Sequence, residues 1–292
     1  MTDPCTPVSN RRLRPLLLAG RFLWAPPSEE TVGAPPSAAD GEAWSRAGAW
    51  LPFWGLLIGV LYAVVFGLFW RVFGEYQGIR WMPTVAVLAV DLGLCGYRPL
   101  AGAVRLAGRC VDRYEVSISA QVTLLLVALV KFCLLICLPI GIWQSSPGDG
   151  PTWGQALERF GYLLPAQIYR PFILMPLWGR FAMELVMALG RPAPEAAARF
   201  KRMAAGVALP TLLGHWVLCA ALTVLFCSGS GYYMARAIMM GLGMFVVVYL
   251  AGFVMAWRCN GQSEATAGAA CLTGEITFLM FYTALSSAIY WY

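Results

Sequence analysis

The chain has 292 residues, of which 59% are hydrophobic and 12% are charged, and its formal net charge is +6. Soluble domains are about 45–50% apolar and about 25% charged, so this composition excludes an ordinary water-soluble domain. The nine cysteines form no CxxC pair, and no basic stretch has interleaved aromatic residues. We therefore expect neither a disulfide framework nor a nucleic-acid partner.

Residues 1–47 are expected to form a unit of two parts. The basic and apolar stretch RRLRPLLLAGRFLW (11–24) predicts an interfacial helix on the cytoplasmic leaflet. Its apolar part is too short for the core of a cleaved signal peptide. The Pro- and Ala-rich stretch 25–44 then predicts a flexible linker.

Residues 48–292 are expected to form an all-α, polytopic integral membrane domain. A membrane-spanning helix needs about 20 apolar residues, with a range of roughly 17–25. This part of the chain contains about seven such runs. The predicted spans are 51–70, 81–97, 119–143, 162–189, 206–226, 234–257 and 269–292.

Lysine and arginine are unevenly distributed among the connecting loops. They are concentrated in 98–118 and 190–205, whereas 144–161 has only one arginine and 228–233 has no basic residue. Because loops rich in these residues stay on the cytoplasmic side, the pattern places the N-terminus, 98–118, 190–205 and 258–268 in the cytoplasm. We expect the inner (cytoplasmic) membrane, where positive charge meets anionic headgroups.

Several ionisable residues lie within the predicted spans, where they are candidates for function because burying charge in lipid is costly. Asp91 could face Lys131 as a structural pair or serve a substrate or metal. For Arg180 and Glu184 the four-residue spacing favours an ion pair within one helix over catalysis. His215 is the only histidine, and we expect a hydrogen-bonded packing residue.

One stretch resembles a known enzyme family. Residues 261–285, GQSEATAGAACLTGEITFLMFYTAL, are similar to the C-terminal signature of cobalamin synthase, the adenosylcobinamide-GDP ribazoletransferase. Residues 51–65, 96–110 and 115–136 resemble further parts of that family in the same order along the chain. The residues that match the signature in type and spacing are Gly261, Gln262, Ser263, Thr266, Gly268, Ala269, Ala270, Gly274 and Glu275.

The resemblance implies a reaction, its partners and a cofactor. The family condenses adenosylcobinamide-GDP with α-ribazole or its 5′-phosphate, and it releases GMP in a Mg²⁺-dependent transfer. Attack on a diphosphate requires that the charge of the leaving nucleotide is neutralised and that both reacting oxygens are held in line. Glu275 matches a glutamate of the signature, and Glu264 stands one residue before the position of a signature aspartate, where this chain has Ala265, so both are candidate catalytic carboxylates.

The loop 98–118 departs from the family pattern. The family's aspartates align with Ala101, Arg105 and approximately Gly108, so an acidic platform becomes a basic one. Guanidinium groups bind phosphate bidentately without a metal. The candidate phosphate-binding residues are Arg98, Arg105, Arg109, Gly261, Gln262, Ser263 and Gly268. The carboxylates left as candidate Mg²⁺ ligands are Asp91, Asp112 and Glu115.

Other interpretations remain open. Glu264 and Glu275 also fit a polar turn followed by a helix-entry carboxylate, and the small residues around Gly268 fit close helix packing. The chain could be a non-catalytic relative that binds a corrinoid or phosphorylated ligand, or that scaffolds a membrane complex. A small transporter is a third hypothesis, because prolines interrupt the charged span 162–189.

Overall fold

A computed structural model describes residues 9–24, 38–74, 81–95, 99, 102–104, 116–138, 169–194, 196–227 and 231–287. Within these ranges every regular element is helical. The α-helices are α1 (Ser9–Trp24), α2 (Ala38–Ala47), α3 (Leu51–Phe69), α4 (Trp81–Cys95), α5 (Val116–Ile136), α6 (Arg170–Leu189), α7 (Ala198–Gly206), α8 (Leu209–Cys227), α9 (Gly231–Arg258) and α10 (Glu264–Ser287). A 3₁₀ turn (Gly48–Trp50) precedes α3 and a π-helical turn (Trp70–Gly74) follows it.

The all-α prediction is confirmed, and within the described ranges five helical segments are long and apolar enough to cross a membrane. They are Gly41–Phe73, Arg170–Leu189, Leu209–Phe226, Ala235–Arg258 and Glu264–Leu285. Two further predicted spans, 81–97 and 119–143, fall on α4 and α5. The apolar parts of those helices, Trp81–Leu94 and Leu125–Ile136, are shorter than a full span.

The centre of the bundle is α6, in which every residue from Pro171 to Met187 is buried. It packs against α3, α8, α9 and α10. Glycines bring the backbones of these helices close together: a Cβ at Gly55 of α3 would lie 2.6 Å from the carbonyl oxygen of Pro176, and one at Gly274 of α10 would lie 3.0 Å from that of Trp178. Small residues allow this close packing in membranes.

The expectation that prolines break the span 162–189 is wrong for its described part. Pro171 stands at the start of α6, where the missing N–H costs no helical bond. The helix then continues unbroken through Pro176 to Leu189. Tight packing against α3 accommodates the internal proline, as it does in other membrane helices.

The distribution of polarity is reversed with respect to a water-soluble protein. Large apolar side chains such as Leu125 and Trp257 are exposed, whereas the charged side chains of Lys131, Arg180 and Glu275 are buried. Since an apolar solvent favours apolar side chains on the outside, this distribution fits a bundle surrounded by hydrocarbon.

At one end of the bundle, α1, α2 and α7 pack around the ends of the long helices. The indole Nε1 of Trp54 donates a hydrogen bond to the carbonyl oxygen of Leu16, 2.9 Å away, which joins α1 to α3. Gly206 of α7 lies directly against the backbone of Ser45 in α2. We call this the α7 end; the start of α10 lies at the same end.

The expected linker 25–44 is partly wrong. Its final residues belong to α2, because Ala- and Glu-containing sequence gains a packing partner in α7. Residues 25–37 lie outside the described ranges. Similarly, the basic stretch 190–205 contains a helix, α7, rather than only a loop.

Candidate functional site

The turn before α10 pairs with the segment that follows α6. The amide N–H of Gln262 donates to the carbonyl oxygen of Arg191 at 2.9 Å, and the amide N–H of Ala193 donates back to Gln262 at 2.7 Å. Asn260 (φ 51°) and Gly261 (φ 129°) reverse the chain so that this pairing forms. At Gly261 a glycine is required, because the positive φ disfavours other residues and a Cβ would lie 2.8 Å from Ala193 Cα.

Two candidate phosphate-binding side chains are engaged within the protein. The buried amide of Gln262 donates from Nε2 to the carbonyl oxygen of Gly252 at 3.1 Å. Ser263 caps α10: its amide N–H donates to Thr266 Oγ1 at 2.8 Å, while the Thr266 amide N–H lies 3.4 Å from Ser263 Oγ. These side chains therefore fix the start of α10.

The described part of the loop 98–118 lies against the start of α10. A Cβ at Gly102 would be 2.8 Å from the backbone nitrogen of Ala269 and 3.1 Å from the carbonyl carbon of Gly268. It would also collide with the carbonyl oxygen of Ala265. The two motif-like segments are thus in contact, and Gly268 lies at that contact.

The other candidate residues of this loop are not described by the structure. Arg98, Arg105 and Arg109, predicted to bind phosphate, lie outside the described residues, as do Asp112 and Glu115, the predicted metal ligands. What the structure gives is the position of 102–104, to which the three arginines are close in sequence.

Glu264, the first residue of α10, forms an ion pair with α7. Arg199 Nε lies 2.8 Å from Glu264 Oε1, and Nη2 lies 3.4 Å from Oε2. The side chains are 14% and 15% exposed. The planar guanidinium thus approaches both carboxylate oxygens.

Eleven residues further along α10, or about 16 Å of helix, Glu275 belongs to a buried charge cluster. We define the charge cluster as Tyr62, Asp91, Lys131, Arg180 and Glu275. Lys131 Nζ donates to Asp91 Oδ2 at 2.6 Å and to Glu275 Oε2 at 2.7 Å. The Arg180 guanidinium donates to Glu275 Oε1, and the Tyr62 hydroxyl donates to Asp91 Oδ1.

The charge cluster joins five helices and is electrically balanced. Its residues come from α3, α4, α5, α6 and α10, and the side chains contribute two negative and two positive charges. Burying isolated ions costs several kcal/mol each, so such a group persists only when every charge is paired and hydrogen-bonded. Of the two alternatives for Asp91, the structure shows the pair with Lys131.

The predicted ion pair between Arg180 and Glu184 is wrong. Arg180 turns toward Glu275, whereas the buried carboxylate of Glu184 lies 2.8 Å from Nδ1 of His215 on α8. Because α6 is buried on all sides, each of its charges finds a partner on a neighbouring helix. His215 is therefore hydrogen-bonded, as the sequence predicted.

The described residues do not fit a Mg²⁺ site. Mg²⁺ needs oxygen ligands in octahedral geometry, usually one or two carboxylates with waters and substrate phosphates. Asp91 instead accepts hydrogen bonds from Lys131 and Tyr62 on its two oxygens. No group of three His, Cys, Asp or Glu residues within the described ranges is arranged to hold a metal ion.

Two contributors to these contacts were not predicted from sequence. Tyr62 is a lone phenol in an apolar span, and a buried Tyr hydroxyl usually needs a hydrogen-bond partner, so it was a detectable signal. Arg199 was one of several basic residues in a loop-like stretch, and nothing in the sequence distinguished it from Lys201 or Arg202.

Comparisons with known proteins were made for the whole chain. No protein-family model matches it, and neither does any curated protein or any solved structure. The interpretation of the site therefore rests on the residues and the contacts described above.

Proposed function

We propose that this chain is a diverged, cobalamin-synthase-like protein that crosses the inner membrane seven times. In this proposal the N-terminus and the loops 98–118, 190–205 and 258–268 lie in the cytoplasm. The protein transfers the cobinamide-phosphate moiety of adenosylcobinamide-GDP to α-ribazole or its 5′-phosphate. A ribazole hydroxyl forms the new P–O bond, the bond to GMP breaks, and the hydroxyl proton passes to a base.

The observation that carries the proposal is the contact of Gly102 with the start of α10. The resemblance to cobalamin synthase depends chiefly on two segments far apart in sequence, 96–110 and 261–285. The first segment lies on the backbone of Ala265, Gly268 and Ala269 of the second, as a site shared by the two segments would require. Their contact supports a shared site at the α7 end of the bundle.

The charge at this end suits a diphosphate. Arg98, Arg105 and Arg109 are close in sequence to Gly102, which contacts the start of α10, and there Arg199 of α7 already binds a carboxylate. Arginine binds phosphate in the same bidentate manner as carboxylate. A substrate phosphate can therefore replace Glu264 as the partner of Arg199.

That exchange gives Glu264 a role. Once Arg199 holds a substrate phosphate, the released carboxylate lies at the start of α10 and accepts the proton of the attacking ribazole hydroxyl. Glu275 stays in the charge cluster, where Lys131 and Arg180 bind its two oxygens. Dependence on Mg²⁺ remains an expectation of the resemblance that rests on Asp112 and Glu115.

A non-catalytic relative that binds a corrinoid or another phosphorylated ligand is the second candidate. It is favoured by one observation: both candidate catalytic carboxylates, Glu264 and Glu275, are engaged by cationic side chains. Such a protein would bind GDP-activated cobinamide at the same place without releasing GMP.

The test uses the full chain in lipid nanodiscs. Adenosylcobinamide-GDP and α-ribazole 5′-phosphate are added with Mg²⁺ or with EDTA, and GMP is quantified by chromatography. Release of GMP that requires the ribazole supports transfer, whereas binding without release supports the second candidate. Loss of binding in Arg105→Ala, but not in the matched control Arg71→Ala after α3, supports the site. Absence of both binding and release contradicts the proposal.

A further inference from the structure

Lys131 of α5 connects three helices, because its ammonium contacts Asp91 of α4 and Glu275 of α10. Asp91 lies four residues before the end of α4, and Lys131 lies on α5, so the segment 96–115 runs between the helices that carry them. Glu275 lies on α10, against which Gly102 of that segment packs. The ammonium of Lys131 therefore links α4 and α5, which flank this segment, to α10, which Gly102 of the segment contacts.

The ammonium occupies the position of a cation between two converging carboxylates. Its Nζ lies 2.6 Å from Asp91 Oδ2 and 2.7 Å from Glu275 Oε2, and the side chains of Lys131 and Glu275 are only 3% and 2% exposed. An ammonium is a compact point charge with three donors, which suits oxygens that approach from different helices.

The charge balance specifies which cation fits. Asp91 and Glu275 contribute −2, and Lys131 and Arg180 contribute +2, so the charge cluster sums to zero. Without the ammonium the sum is −1, which a monovalent cation restores to zero and a divalent one changes to +1. Because unbalanced buried charge is strongly unfavourable, the site selects a single positive charge.

We propose that Lys131 is a positioning residue whose ammonium fills a monovalent-cation site formed by Asp91 and Glu275, and thereby holds residues 102–104 against the start of α10. The cation site stands on geometry alone. The importance of this cation site for phosphate binding rests on the proposed function.

The experiment removes the ammonium and supplies it again. Lys131→Ala deletes the outer carbons and the nitrogen, and n-propylammonium carries the same atoms. In nanodiscs we expect the Tm of Lys131→Ala to be well below that of the wild type, and to rise saturably with n-propylammonium. n-Propanol, which has the shape without the charge, should not raise it. A Tm equal to that of the wild type, or an equal response to n-propanol, would overturn the cation site.

Two variants serve as matched controls. Lys131→Met fills the space without charge, so its Tm should be low and should not respond to n-propylammonium. Lys131→Ala combined with Asp91→Asn is neutral again, so it should be more stable than Lys131→Ala and should not respond to the amine. If Lys131→Ala is recovered folded only when the amine is present during preparation, the site is supported. If Lys131→Ala cannot be recovered folded either with or without the amine, the result counts against the cation site.

Positioning is measured separately, by photo-crosslinking. A benzoylphenylalanine introduced at Ala103 should crosslink to peptides of α10 in the otherwise unchanged chain. We expect these crosslinks to fall in Lys131→Ala and to return with n-propylammonium. A restored Tm without restored crosslinks would overturn the positioning role. Neither measurement depends on the transfer reaction, so failure here is distinct from failure of the proposed function.

Discussion

The two carboxylates of α10 have the same chemistry and opposite surroundings. Glu264, at the first residue of the helix, is 15% exposed and pairs with the guanidinium of Arg199. Glu275 is buried, and each of its oxygens accepts a hydrogen bond from a different cation, Lys131 or Arg180. The difference lies in the surroundings: the carboxylate at the helix entry retains some contact with solvent, whereas the interior one is held by two cations.

The most severe test of this comparison is Glu275→Gln. It leaves Lys131 and Arg180 with only Asp91 for charge balance, so we expect a loss of about 3–5 kcal/mol in the free energy of unfolding. The measurement is denaturant or thermal unfolding in a detergent or nanodisc system that refolds reversibly. The combination with Arg180→Met restores neutrality and should recover part of the loss. A loss below about 1 kcal/mol for Glu275→Gln would contradict a fixed interior carboxylate.

His215→Leu tests whether a second buried carboxylate behaves like Glu275. Glu184 would lose the hydrogen bond to Nδ1, and leaving a buried acceptor without a partner costs about 1–3 kcal/mol. Unfolding of the single variants and of the double variant with Glu184→Gln gives their coupling energy. The coupling energy between Arg180 and Glu184 should be much smaller than that between Glu184 and His215. The opposite result would support an ion pair between Arg180 and Glu184 within α6.

Gly179→Ala tests how closely α6 approaches the interior carboxylate. The new Cβ would lie 2.6 Å from Glu275 Cγ, and we expect overpacking to cost about 1–3 kcal/mol. Gly214→Ala on α8 is the matched control, because a Cβ at that position meets no atom within 4 Å. Equal unfolding free energies for the two variants would show that the helices do not pack as closely as described.

Glu264→Gln should have the smallest effect on stability and the clearest effect on function. The side chains of this ion pair are 14% and 15% exposed, so its loss should cost less than the about 3–5 kcal/mol expected for a fully buried pair. If Glu264 accepts the ribazole proton, GMP release should fall by about 10²-fold or more while substrate binding is retained. Unchanged GMP release would exclude Glu264 as the base. Glu42→Gln on α2, which removes a carboxylate from an exposed ion pair with Arg46, is the control.

Much of the helical arrangement could be predicted because long apolar runs have few alternatives to spanning helices. The approach of Asp91 to Lys131 was also predictable, since a buried charge requires an opposite one nearby. Gly102 lies against the start of α10, but a functional site shared by the two motif-like segments stays a prediction of the resemblance.

The errors share a physical cause: local sequence rules do not describe an element surrounded by neighbours. Spacing alone pairs Arg180 with Glu184, but α6 is packed on every side and both charges have stronger partners on other helices. Composition alone predicts a linker at 25–44, but the part from Ala38 onward is helical because it packs against α7. Hydropathy detects the side chains of a span and carries no information about which helix lies beside it.

The long sequence separation within the charge cluster has a consequence for biogenesis. Glu275 lies 95 residues after Arg180 and 144 residues after Lys131, so the ribosome delivers both cations before the carboxylate that binds them. Each cation at a helix centre opposes insertion by about 2.5–3.5 kcal/mol. Until α10 arrives, the nascent bundle has two such cations and only Asp91 to offset them. Completion of α10 is therefore the step at which the charges of Lys131 and Arg180 become balanced.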